Sequence, residues 1–142
     1  MRQFYKCKYF SIQELVDEPT YKKYGERAWM FFNPILLRTL DGIREYFGKP
    51  IMVNNWESGG TMDSRGLRSP NDNTGSKWGF HYKGNAVDFS VSDMTAEEVR
   101  KIIIEHQNEP PFEDITALEA DVSWVHMDFR NIDSNKILVF KG

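Results

Sequence analysis

The chain has 142 residues, 40% of them hydrophobic, and a formal net charge of −3 at pH 7. This length and composition suit one compact domain with an apolar core, which we expect to be a monomer. The chain shows no basic cluster and no run of roughly 18 apolar residues, which argues against a nucleic-acid partner and against membrane insertion.

The N-terminal part of the chain, residues 1–49, is predicted to be helical. Ser11 begins a capping-box pattern, so a short helix should start there and end before Pro19. Asn33 and Pro34 are typical of the N-cap and the first position of a second helix. The apolar face of this second helix consists of Leu36, Leu40, Ile43 and Phe47.

The remainder, residues 50–142, is predicted to contain the sheet and one further helix, which begins at Thr95. A glycine- and asparagine-rich loop is expected over residues 54–80, and a segment of this length without structure is usually functional or mobile. Apolar runs and alternating patterns predict strands at 51–53, 86–91, 115–118, 124–130 and 137–140. This order favours an α+β class with a small, mostly antiparallel sheet flanked by helices.

Two predicted strands carry candidate metal ligands on the face opposite their apolar side chains. Asp88 lies on the polar face of one strand, and His126 and Asp128 lie on the polar face of another. His81 precedes the first of these strands, and Gly84 would let the chain bend so that His81 and Asp88 converge. Two imidazoles and one carboxylate suit a zinc ion with one position left for water. On spacing alone, these residues can equally be ordinary polar surface groups.

The eight residues from His81 to Asp88 resemble the His-x-x-Gly-x-Ala-x-Asp signature of a known family. It comprises zinc D-alanyl-D-alanine carboxypeptidases and L-alanyl-D-glutamate endopeptidases, which cut peptidoglycan stem peptides. The Trp-Val-His segment at 124–126 is similar to the family segment that supplies the third ligand, and the resemblance covers roughly residues 50–130. The resemblance implies a hedgehog-like fold, a zinc ion held by His81, Asp88 and His126, and hydrolysis of a stem-peptide amide bond.

The sequence departs from this family where many members have the general base. That acid stands three residues before the last ligand, and this chain has Ser123 there. Glu119 and Asp121 are the nearest acids, and we favour Glu119 because of its longer reach, although both can be solvated turn residues. Without a base, the chain would be a zinc-stabilised binding module; without zinc, it would be a structural or tail-associated domain.

Further residues gain a role from the same resemblance. The family uses an arginine ahead of the first ligand to hold a substrate carboxylate, so Arg65 and Arg68 are candidates for substrate binding. Either can instead anchor the loop. Asp128 is a candidate to accept a hydrogen bond from the second nitrogen of His126, or else to pair with Arg130.

The N-terminal segment has no apolar stretch of the kind found in secretory signals, so synthesis in the cytoplasm is expected. Together with the loop before His81, which resembles that of phage-type members, this favours a phage lysis or virion-associated enzyme that acts on the cell wall. The residues do not decide between a carboxypeptidase and an endopeptidase.

Overall fold

The computed structural model describes residues 4–70 and 79–142. The helices are α1 (Glu18–Tyr24), α2 (Pro34–Phe47) and α3 (Ala96–Glu105), and the strands are β1 (Ile51–Met52), β2 (Ala86–Val91), β3 (Ala117–Ala120), β4 (Val125–Asp128) and β5 (Leu138–Lys141). Within the described residues, none of the helices combines the length and the apolar character needed to cross a membrane. The α+β class and the small sheet flanked by helices agree with the hedgehog-like fold that the resemblance implies.

The first helix begins later than the sequence predicts. Ser11 and Glu14 do form a capping box, in which the Ser11 N–H donates to the Glu14 carboxylate at 2.7 Å, but it opens only a 3-10 turn. The N-cap of α1 is Asp17, whose side chain accepts from the Thr20 N–H at 2.9 Å. Pro19 therefore lies in the first turn of α1, where a missing N–H costs nothing, and does not end a helix.

The second predicted helix forms with its predicted start. Asn33 is its N-cap and accepts from the Ile35 N–H at 3.0 Å, and Pro34 is its first residue. The helix ends at Phe47, and Gly48, which has a left-handed φ of 62°, is its C-cap. Its apolar face packs against the sheet through the core, so the helix supports the strands that carry the candidate ligands.

The five-stranded sheet has the order β1-β2-β4-β3-β5. Its neighbouring strands are antiparallel apart from β3 and β5, which are parallel, so the mostly antiparallel sheet is confirmed. In the β2–β4 pair Asp88 lies opposite His126, and Ala86 lies opposite Asp128. Because directly paired residues point to the same side of a sheet, these residues share one face, which we call the site face.

The opposite face of the sheet packs on the helices. The buried apolar cluster there includes Val87 and Phe89 of β2, Val125 and Met127 of β4, Val99 and Ile103 of α3, and Leu36, Leu40 and Ile43 of α2. The apolar residues of β2 and β4 alternate with the polar residues of the site face, as the sequence predicts. The packing of the core therefore also fixes which side chains reach the site.

The loop predicted over residues 54–80 is largely irregular in its described part. It is attached to the N-terminal segment by Asn54, whose side chain donates to the Val16 carbonyl at 3.0 Å and accepts from the Arg65 N–H at 2.9 Å. Residues 71–78 of the predicted loop lie outside the described residues. The described part of the loop contains Arg65, whose side chain contacts Ser90 of β2.

Candidate metal centre

His81, Asp88 and His126 converge on the site face, where all three are buried. His81 Nε2 lies 3.3 Å from His126 Nδ1 and 3.4 Å from Asp88 Oδ1, while His126 Nδ1 lies 2.8 Å from Asp88 Oδ1. Tetrahedral zinc with bonds of about 2.0–2.2 Å places neighbouring ligand atoms roughly 3.3–3.6 Å apart. Two of the three separations match this spacing and the third is shorter, so the three atoms could hold a small metal ion.

The backbone around Gly84 carries His81 back towards β2. Gly84 has a left-handed φ of 69°, and its N–H donates to the His81 carbonyl at 3.3 Å to close a turn. A Cβ at this position would lie 2.0 Å from the Phe31 carbonyl oxygen. The bend at Gly84 agrees with the prediction from the sequence, and both the left-handed conformation and the close approach of the Phe31 backbone require glycine.

In both histidines, the nitrogen that faces away from the cluster is hydrogen-bonded. His81 Nδ1–H donates to the Gly66 carbonyl at 3.0 Å, and His126 Nε2–H donates to the Asp128 carboxylate at 2.9 Å. These bonds fix the tautomer of each ring. They leave the lone pairs of His81 Nε2 and His126 Nδ1 directed at the position between the three candidate ligands.

The electrostatics of the cluster favour a positive charge at its centre. In the tautomer above, Asp88 Oδ1 and His126 Nδ1 are both acceptors, so a proton or a cation must separate them. Burial lowers the pKa of His126, but hydrogen bonds with Asp128 and Asp88 outweigh burial and raise the pKa to about 9. Burial raises the pKa of Asp88, but His126 and His81 outweigh it and hold the pKa below its usual range. A metal ion would supply the charge that these groups favour.

Asp128 is fully buried behind His126. Besides the His126 ring, it accepts hydrogen bonds from Arg130 Nε at 2.7 Å and from Arg130 Nη2. Burial raises the pKa of Asp128, but the hydrogen bonds from Arg130 and His126 outweigh it and lower the pKa. The two alternatives left open by the sequence, support of His126 and pairing with Arg130, occur together.

A cleft of about 410 Å³ opens beside Asp88 and contains both candidate substrate arginines. Its lining comprises Met62, Ser64, Arg65, Arg68, Asp88, Ser90, Ser123 and Trp124. Arg65 Nη2 donates to Ser90 Oγ at 2.7 Å. Arg68 Nη2 lies 3.6 Å from Asp88 Oδ2, and Arg68 Nε donates to the Ser64 carbonyl at 2.8 Å. The Arg68 side chain thus contacts a candidate ligand, whereas the Arg65 side chain contacts the cleft wall and the Arg65 carbonyl accepts from the Asp88 N–H at 2.7 Å.

The two candidate bases differ in their surroundings, because Glu119 lies within β3 and Asp121 lies in the turn that follows it. Glu119 pairs in register with Phe140, and strand alternation from the Ala117–Asp128 pair puts it on the site face. Asp121 lies in the turn after β3 and forms an exposed ion pair with Lys141, with its Oδ2 3.3 Å from Lys141 Nζ. Neither acid is part of the ligand cluster found among the described residues.

Two groups that shape this site were not predicted from the sequence. Ser90 holds Arg65, and its position two residues after Asp88 on the alternating strand was a usable signal. The Gly66 carbonyl orients His81, and no side chain marks a backbone acceptor in a sequence.

Residues 8–128 match the family model of Peptidase M15, and this range includes all three candidate ligands. Comparison with curated proteins and with solved structures gave no match. The family match covers most of the chain and fits the metallopeptidase chemistry that a buried His-Asp-His cluster would support. The chain therefore belongs to the peptidase M15 family, whose members are zinc-dependent metallopeptidases.

Proposed function

We propose that this protein is a zinc peptidase that hydrolyses an amide bond in the stem peptide of peptidoglycan. The observation that carries the proposal is the convergence of His81 Nε2, Asp88 Oδ1 and His126 Nδ1 in a chain of the M15 family. Zinc bound there would activate water and polarise the scissile carbonyl. Residues 1–142 would then act as one monomeric domain on the cell wall, in the manner of a phage lysis or virion enzyme.

The cleft beside Asp88 is the proposed substrate site. A stem peptide carries carboxylates at D-Glu and at a terminal D-Ala, and a guanidinium binds a carboxylate through two parallel hydrogen bonds. Arg65 lines the cleft and has Ser90 as its partner, so we assign it to the substrate carboxylate. Arg68 lines the same cleft, and its contact with Asp88 gives it a second role in orienting that carboxylate.

Glu119 is the proposed proton acceptor, since Ser123 lacks a carboxylate to take a proton from water. Its support is its place on the site face, which it shares with His126. Phe140, the register partner of Glu119, has its ring edge-on to His126 with centroids 5.7 Å apart. The carboxylate of Glu119 also lies close to Gly142. A Cβ added at Gly142 would be 2.0 Å from Glu119 Oε1.

The peptide is a better substrate than the glycan for this site. Glycosidases normally use two carboxylates about 5–10 Å apart and no metal. Among the described residues that line the cleft, Asp88 is the one acid, and it belongs to the ligand cluster. Attack on a carbonyl therefore fits the site better than cleavage of a glycosidic bond.

The test pairs elemental analysis for zinc with digestion of purified cell wall by the same preparation. We expect one zinc per chain and the release of new amino groups or free D-Ala, which a chelator stops and added zinc restores. Free D-Ala would indicate a carboxypeptidase, and new amino groups without D-Ala would indicate an endopeptidase. Release of reducing sugar without amino groups would contradict the proposal.

A second candidate is a zinc-stabilised binding module that has lost its activity. The observation that favours it is Ser123, which lies in the cleft at the position where the family resemblance implies an acid. In this case the protein would contain zinc and bind cell wall but release nothing from several wall types. Binding would be measured by co-sedimentation with insoluble peptidoglycan.

A further inference from the structure

Arg130, two residues after the end of β4, lies over two aromatic rings from distant parts of the chain. Its Cζ atom is 4.5 Å from the ring centroid of Phe80 and 4.4 Å from that of Phe140. Phe80 immediately precedes the candidate ligand His81, and Phe140 belongs to the edge strand β5. The guanidinium therefore joins the loop before the first candidate ligand to the last strand of the sheet.

The nitrogen atoms of the same guanidinium hold Asp128. Nε and Nη2 of Arg130 donate to the two different oxygens of the Asp128 carboxylate, and the Arg130 backbone N–H donates to Oδ1 at 3.3 Å. The second oxygen, Oδ2, also accepts the hydrogen bond from His126 Nε2–H. A continuous series of contacts therefore runs from the two rings through Arg130 and Asp128 to His126.

Phe140 contacts both ends of this series, Arg130 and His126. It packs against Arg130, and its ring also lies nearly perpendicular to the His126 imidazole, at an interplanar angle of 87°. The orientation of His126 thus depends on Asp128 at one edge and on Phe140 beside it.

We propose that Arg130 is a positioning residue of the metal centre, which holds Asp128 so that His126 keeps its Nε2–H tautomer and presents Nδ1 to the metal. The proposal rests on the function proposed above only in requiring that the three candidate ligands bind a metal. A lysine cannot replace this arginine, because an ammonium group neither stacks as a plane nor donates in a fork. The contacts with Phe80 and Phe140 matter because they restrict the plane of the Arg130 guanidinium, and with it the direction of its two hydrogen bonds to Asp128.

The test measures zinc affinity by competition with a chromogenic chelator, in purified full-length protein. Hydrogen-bond partners of metal-binding histidines typically change metal affinity by roughly 10- to 100-fold when replaced, and we expect Arg130→Lys to weaken zinc binding by such a factor. Phe140→Leu, which removes one ring, should also weaken it, and Phe140→Tyr, which keeps the ring, should restore wild-type affinity. Arg38→Lys is the matched control, because Arg38 lies over Tyr5, 5.0 Å from its ring centroid, and does not contact the candidate ligands.

A second readout separates positioning from a general effect on folding. Long-range proton–nitrogen NMR spectra of the zinc-loaded wild type should show a proton on His126 Nε2 that is protected from exchange with water by its hydrogen bond to Asp128. In zinc-loaded Arg130→Lys the same proton should exchange faster. Thermal melting of the metal-free variants tests whether each is folded.

Wild-type zinc affinity and unchanged exchange of the His126 Nε2 proton in folded Arg130→Lys would overturn the inference. If Arg130→Lys does not fold, Phe140→Leu decides, since it leaves the guanidinium and Asp128 in place, and wild-type zinc affinity in that variant would overturn it. A wild-type protein that binds no zinc would instead refute the proposed function, so the two failures are distinguishable.

Discussion

Asp88 and His126 lie directly opposite each other on β2 and β4, with Asp88 Oδ1 2.8 Å from His126 Nδ1. Val87, which precedes Asp88 on β2, and Met127, which follows His126 on β4, also pair, and both are fully buried on the other face. A slip of one strand by one residue would move its apolar side chain to the site face and its candidate ligand into the core. The same register therefore specifies both the core and the candidate metal centre.

From this arrangement we predict one zinc ion per chain, lost when a ligand is removed. His81→Ala, Asp88→Ala and His126→Ala should each abolish or greatly weaken binding, as measured by elemental analysis after dialysis. The control is His106→Ala, because His106 bonds to Glu109 at 3.0 Å outside the cluster and should not affect zinc. Full zinc occupancy in His126→Ala would show that the ligand assignment is wrong.

Removal of the metal should lower the melting temperature. A ligand that binds only the folded state at 1,000 times its Kd stabilises that state by about 4 kcal/mol. For a chain of this size, about 1 kcal/mol corresponds to about 2–4 °C in Tm, so a chelator should lower Tm by roughly 10 °C. Calorimetry with and without the chelator measures this shift. The same chelator should leave the Tm of Asp88→Ala nearly unchanged, and an equal fall in both proteins would point to an effect unrelated to the cluster.

Local rules predicted the strand face on which Asp88 and His126 lie, and the family resemblance predicted that they converge with His81. Alternation of polar and apolar residues put Asp88 and His126 on the face opposite the core, and Gly84 marked the turn that returns His81. The helix beginning at Asn33 followed equally from its capping pattern. Each of these features depends on residues close together in the chain.

Features that depend on distant residues could not be predicted in the same way. The parallel pairing of β3 with β5 and the contacts of Arg130 with Phe80 and Phe140 have no spacing signal, since tertiary packing alone creates them. The predicted start of the first helix was wrong, because a proline such as Pro19 is compatible with the first turn of a helix as well as with the end of one. The choice of Glu119 over Asp121 rested on side-chain length alone, because the conformation of the turn that holds Asp121 has no sequence signal.

Replacement of Glu119 should separate catalysis from metal binding. Glu119→Gln should keep zinc and lose turnover by roughly 10²–10⁴-fold, the usual contribution of general acid–base catalysis. Asp121→Asn is the matched control and should remain active, because the exposed Asp121 pairs with Lys141 instead of the cluster. Release of amino groups from cell wall measures both. An inactive Asp121→Asn beside an active Glu119→Gln would show that the wrong acid was chosen, and two active variants would place the base elsewhere.

Gly84→Ala should weaken both folding and zinc binding. A left-handed conformation costs a non-glycine residue roughly 1–2 kcal/mol, and the added Cβ would also collide with the Phe31 carbonyl, 2.0 Å away. The matched control is Gly48→Ala, since Gly48 has a similar φ of 62° but open space around it. We expect the control to lose only the conformational part in denaturant unfolding, with normal zinc affinity. Equal losses of stability in the two variants would show that the contact with Phe31 is relaxed without cost.

The two cleft arginines should respond differently to replacement by lysine. Hydrogen bonds to charged groups contribute about 1.5–3 kcal/mol, so Arg65→Lys should raise KM by roughly 10- to 100-fold and leave zinc affinity unchanged. Arg68→Lys should weaken zinc binding as well, because Arg68 lies 3.6 Å from the Asp88 carboxylate. Steady-state kinetics on a synthetic stem peptide and chelator competition measure the two effects separately. A normal KM in Arg65→Lys would leave that residue as an anchor of the loop through Ser90, and normal zinc affinity in Arg68→Lys would remove its assigned role in orienting Asp88.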